Sequence, residues 1–101
     1  MYYDLVESGK RIKNLRKEKG LSQNALAETL GIHVKTVSKA ERGIIGLSVD
    51  NLIQISSYFN VSLDYLILGQ NKELNIFDRI ALQPEDKRKR IERIITEMLE
   101  L

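Results

Sequence analysis

The segment from Gln23 to Arg42 constrains this chain most. Two stretches of helical periodicity, Gln23–Leu30 and Val34–Glu41, are separated only by Gly31-Ile32-His33. So short a connection folds the second helix back against the first. The turn needs a residue that accepts positive φ, and Gly31 does so without a Cβ clash. The crossing of the two helices needs a small residue, and Ala27 stands one turn before Gly31. Leu26, Leu30, Ile32 and Val37 form the apolar seam, with Ala40 at its far end.

The rest of the chain reads the same way. A first helix runs from about Asp4 to Lys19, buries Leu5, Ser8, Ile12 and Leu15 as one stripe, and ends at Gly20. Ser22 caps the second helix. Ser48 caps a fourth helix, VDNLIQISSYF, whose Leu52, Ile55 and Phe59 share a face. Ser62 caps a short fifth helix, LDYLIL, stopped by Gly69. Residues 70–73 read as a polar linker, and Leu74 to Leu82 as a weaker amphipathic piece. Pro84 opens a last helix with Glu85 and Asp86 in its first turn, as the helix dipole favours. No strand alternation is sustained, so the fold class is all-α. Two domains are expected: residues 1–69 as a five-helix unit and 70–101 as a helical extension.

Composition narrows the function. The 101 residues include no cysteine and one histidine, His33, which removes thiol nucleophiles, cysteine zinc sites and multi-histidine metal sites. With no nucleophile–base pair either, an enzyme is not expected and no cofactor is required. No apolar run is long enough for a membrane span, and the start, MYYDLVESGKR, lacks the apolar core of a secretory signal, so the cytoplasm is the expected address. The formal net charge of +2 is unevenly spread. Lys10 to Arg42 holds nine basic and three acidic residues, which leaves the remainder negative. That asymmetry suggests an anionic partner for one face.

These residues carry a resemblance. Ala27, Gly31 and Val37 fall at the signature positions of the helix-turn-helix. GKRIKNLRKEKGLSQNALAETLGI, TVSKAERG and VSLDYLILG resemble the Xre family of lambda-repressor-like domains over about two thirds of the chain. The resemblance implies sequence-specific binding to double-stranded DNA, usually by a homodimer that represses transcription. The second helix of the motif then enters the major groove and the first crosses the backbone. Gln23 matches the family's phosphate-binding glutamine, and its helix N-terminus offers free N–H groups to a phosphate. Val34, Lys35, Thr36 and Lys39 form the groove-facing side of the second helix. Lysine donates to guanine O6 and N7, and valine and threonine methyls meet a thymine methyl. Plainer readings stand beside these: Lys35 and Lys39 as a solvated face, Val34 as a packing residue, Gln23 as an ordinary first-turn residue. Arg42 reads as a phosphate contact or a free surface charge. Arg16 and Glu41 match a pair that the family uses as an internal salt bridge.

The sequence departs from the family in three places. His33 stands where Ser or Thr commonly caps, and histidine is a poor cap, so a surface histidine is expected. The loop Gly43-Ile44-Ile45-Gly46-Leu47 is apolar where relatives often carry basic residues; its isoleucines are expected against the fourth helix or in a dimer interface. Nothing resembles the self-cleaving peptidase half of larger repressors. In the tail, Ile91, Ile94, Ile95, Met98, Leu99 and Leu101 span an arc of about 160° on the last helix. That stripe reads as a dimerisation arm, pairing with the segment around Phe77 and Ile80, or as packing on the five-helix domain. The basic run from Lys87 to Arg90 is flanked by acids and reads as a solvated helix start. The expected function is a dimeric repressor on an inverted-repeat operator. The alternative is an antitoxin or protein-interaction module on the same fold, with an antagonist protein as a possible partner.

Overall fold

The computed structural model describes residues 2–74, 80 and 82–100. Among them are six helices and no strands: α1 (Leu5–Glu18), α2 (Gln23–Leu30), α3 (Val34–Glu41), α4 (Val49–Phe59), α5 (Leu63–Leu68) and α6 (Glu85–Leu99). Short polar residues start four of the first five. Asp4 Oδ1 accepts from the Val6 and Glu7 amides at the head of α1. Ser22, Ser48 and Ser62 do the same for α2, α4 and α5 through Ala25, Asn51 and Tyr65. Each such bond satisfies an amide that the helix itself leaves unpaired.

The first five helices close one core. α1 packs on α3 and α5, α2 on α3 and α4, and α4 on α5. Ile12, Leu15, Leu26, Ala27, Leu30, Val37, Ile55, Phe59, Val61 and Leu66 form its buried centre. Leu26, Ile55 and Leu66 are wholly shielded from solvent; each contributes about 1.5–3 kcal/mol relative to an exposed side chain. Two buried serines tie the elements around this core together: Ser8 Oγ of α1 donates to the Leu66 carbonyl of α5, and Ser56 Oγ of α4 to the Val61 carbonyl just beyond that helix.

Apolar periodicity alone does not show how closely α1 approaches α3. A Cβ at Gly9 would lie 2.3 Å from the Ala40 carbonyl oxygen and 2.8 Å from that of Glu41. Backbone lies against backbone here, and only glycine leaves the room. The helix interior bears the small propensity loss of a glycine in return.

Two sequence expectations, the linker and the histidine cap, come out differently. Residues 70–73 are not a free linker. Val61 and Glu73 form an isolated antiparallel bridge, the Ser62 amide donates to Lys72 O at 3.0 Å, and Ser62 Oγ donates to Asn71 O. Asn71 makes the return by taking φ 50°, which asparagine tolerates. A cut at Gly69 therefore breaks bonds that a cut after Leu74 spares. In the apolar loop Gly43 abuts Val6 and Gly46 abuts Leu5 and Tyr3, Leu47 packs against the core, and Ile44 is exposed. His33 does cap α3, its Nδ1 accepting from the Lys35 amide at 3.1 Å. Leu5 is half-buried at the edge of its stripe. The amphipathic piece before Pro84, Phe77 included, lies largely outside the described residues; Ile80 and Leu82 are described and half-buried. No residue of α6 is buried.

Candidate nucleic-acid interface

α2 and α3 meet through a turn with Gly31 at φ 69°. The Gly31 amide donates to Glu28 O and the Ile32 amide to Ala27 O, which satisfies the last carbonyls of α2. Val37, Ala40 and Glu41 then face inward from α3. The outward side is left to Lys35 and Lys39, both exposed and four residues apart, with Thr36 half-buried beside them. Val34 is half-buried and packs against the core.

Behind this face lies a buried polar brace. Arg16 Nε donates to Glu41 Oε2 at 2.7 Å, Arg16 Nη2 to Glu41 Oε1 at 3.0 Å, and Arg16 Nη1 to the Leu21 carbonyl at 2.8 Å. The fork of the guanidinium fits the carboxylate with two parallel bonds. Arg16 and Glu41 are 8% and 5% exposed, so the charges balance each other out of water. The hydrogen bond to Glu41 raises the Arg16 pKa above its ordinary value, against the lowering effect of burial. The brace joins α1, the turn before α2 and the end of α3.

Gln23 belongs to the same group. Its Nε2 donates to Glu41 Oε1 at 3.0 Å. An amide nitrogen carries two protons, so one remains for another acceptor. Arg42, exposed at the end of α3, turns its Nε back to the Ser38 carbonyl at 3.3 Å. The structure thus brings Lys35, Thr36 and Lys39 to one side and joins Arg16, Glu41 and Gln23 beneath them. Sequence reasoning missed the Gln23–Glu41 bond and Gly9. The first spans 18 residues and has no local signal. The second had one, a glycine inside a helical pattern. Among the described residues no group of histidine and carboxylates could hold a metal ion.

A family model described as Helix-turn-helix matches residues 12–66, more than half of the chain. The chain belongs to the helix-turn-helix family. Its resemblance to the Xre and lambda-repressor-like domains holds at the level of fold as well as motif. The helix-turn-helix chain is similar to the HTH-type transcriptional regulator ImmR of Bacillus subtilis, with 39% identity over 58% of this chain and 46% of ImmR. It therefore spans about half the length of that relative. It is similar to the P22 c2 repressor, solved with a synthetic operator, with 32% identity, a TM-score of 0.59, and coverage of 62% of this chain and 96% of that one. It is also similar to a chain of the SinR–SinI protein complex, with 26% identity, a TM-score of 0.56, and coverage of 92% and 98%.

Proposed function

We propose that this helix-turn-helix chain is a sequence-specific DNA-binding transcriptional regulator, a repressor that occupies an inverted-repeat operator as a homodimer. One observation carries the reading: an open basic face stands on a buried brace. Arg16, Glu41 and Gln23 fix α1, α2 and α3 relative to one another, while Lys35, Thr36 and Lys39 stand outward on α3. A side chain discriminates between bases only if its helix is held still, and the brace does that. In this reading α3 lies in the major groove and α2 crosses the backbone. Lys35 or Lys39 donates to guanine, and Thr36 meets a thymine methyl. The second amide proton of Gln23 and the free amides at the start of α2 go to a phosphate. Arg42 leaves the Ser38 carbonyl for another phosphate.

The P22 c2 repressor on its operator supports the DNA partner, and ImmR supports the regulatory role. The last residues of the chain supply the dimer contact. Such a protein works in the cytoplasm beside the DNA, with no cofactor. No helix among the described residues is long and apolar enough to cross a membrane.

Selection of bound duplexes from random DNA tests the reading. The expected product is an inverted repeat whose half-site centres lie about 34 Å apart, one turn of the duplex. Enrichment of no sequence would overturn it. The similarity to a chain of the SinR–SinI complex extends into the tail and favours a second reading, in which an antagonist protein binds the same chain. A protein that co-purifies with the full chain and releases it from operator DNA would establish that role.

A further inference from the structure

The helix α6 has two unlike sides. At about 100° per residue, Arg88, Ile91 and Ile95 lie along one flank, and all three are half-buried. The neighbouring stripe, Lys87, Arg90, Ile94, Glu97 and Met98, is open, with Ile94 51% and Met98 65% exposed. Among the described residues neither Arg90 nor Glu97 takes part in an ion pair. The charges along the helix are polarised. From Glu85 to Ile91 there are four basic and two acidic residues; from Glu92 to Glu100 there are one basic and three acidic.

We propose that α6 forms a two-fold symmetric, antiparallel pair with α6 of a second copy of this chain. The proposal rests on the dimer reading above and adds an orientation and a register to it. Antiparallel pairing sets each basic half against an acidic half, whereas parallel pairing sets like against like. With the two-fold axis between Arg93 and Ile94, Ile94 of one copy meets Ile94 of the other. Arg90 then faces Glu97 of the second copy. Symmetry makes each contact occur twice. Arg90 and Glu97 share one flank of α6, and an antiparallel pair brings that flank against itself. A parallel pair would instead bring Arg90 toward the flank that carries Arg88. Burial of Ile94 and Met98 supplies the attraction; the exposed ion pairs add little energy but fix the orientation.

Charge exchange in the full chain tests this, with dimerisation followed by sedimentation. Arg90→Glu places two acids opposite each other at both contacts, and Glu97→Arg places two bases there. Each variant should dimerise about tenfold more weakly than the parent. Mixing the two should restore the dimer as a heterodimer, because each contact is again between opposite charges. The absence of cysteine permits a second readout. Arg90→Cys mixed with Glu97→Cys should cross-link across copies. Neither alone should do so, because like positions sit about 10 Å apart along the axis. Self-cross-linking of each single variant, or a dimer indifferent to both charge changes, would overturn the antiparallel pair while leaving the dimer reading intact. A parent chain that stays monomeric at tens of micromolar would overturn both.

Discussion

Replacing Arg16 with methionine tests the brace. Arg16→Met keeps the aliphatic volume and removes three donors. Glu41, 5% exposed, then loses both guanidinium bonds and retains only Gln23. The Leu21 carbonyl loses its Arg16 donor as well. A charge stranded in this way costs about 3–5 kcal/mol, a large share of the roughly 5–15 kcal/mol that holds a domain together. With a urea slope of about 1–3 kcal/mol per molar, the unfolding midpoint should fall by about 1–5 M. Arg16→Met with Glu41→Leu removes both charges and should recover most of the loss, since an apolar pair of similar volume is close to neutral. The pH dependence has a definite sign. The Arg16 pKa is raised in the folded state, so its stabilisation is fully present below the pKa of an unfolded arginine and is lost only as pH rises through the higher folded value. From the arginine side the contribution is therefore constant across neutral and mildly alkaline pH. A loss below about 1 kcal/mol, the range of an exposed pair, would refute the reasoning. So would a double variant no more stable than the single.

Gly9→Ala should destabilise by about 1–3 kcal/mol in thermal melts despite alanine's better helix propensity, because its Cβ would meet the Ala40 carbonyl at 2.3 Å; an unchanged melting temperature would show that α1 and α3 can separate freely. His33→Ala should cost about 1 kcal/mol through loss of the α3 cap, and His33→Ser should not; equal stability of all three would remove the cap's role. A chain of residues 1–74 should unfold cooperatively and sediment as a monomer, whereas one ending at Gly69 should be less stable, having lost the partners of Ser62.

The helix limits were legible because the stop and start signals are local. Ser22, Gly31, Ser48, Ser62 and Gly69 stand at the observed ends of α2, α4 and α5. The core seam follows from the same periodicity. Contacts that depend on how helices meet were not legible. Gly9 shows its purpose only once Ala40 lies across it, and Gln23 reaches Glu41 only after α2 and α3 have folded against each other. The return of residues 70–73 rests on an asparagine turn inside a stretch whose composition matches any linker. His33 caps through a ring nitrogen, a geometry its usual ranking hides. Of the candidate face, the spacing of Lys35 and Lys39 could be read directly; for Val34 the sequence left a base contact and packing both open, and the packing against the core shows only in the fold.

The central claim is that α3 reads base edges while Gln23 touches only the backbone. It is tested most directly by binding of the parent, Lys35→Ala, Lys39→Ala and Gln23→Ala chains to the selected operator and to a scrambled duplex across a salt series. One of the two lysine variants should lose about 1–3 kcal/mol on the operator and relax preference at one position of the half-site. Gln23→Ala should weaken both duplexes alike, because a phosphate carries no sequence information. If Lys35→Ala and Lys39→Ala each leave the operator-to-scrambled ratio of the parent untouched, α3 does not read the bases.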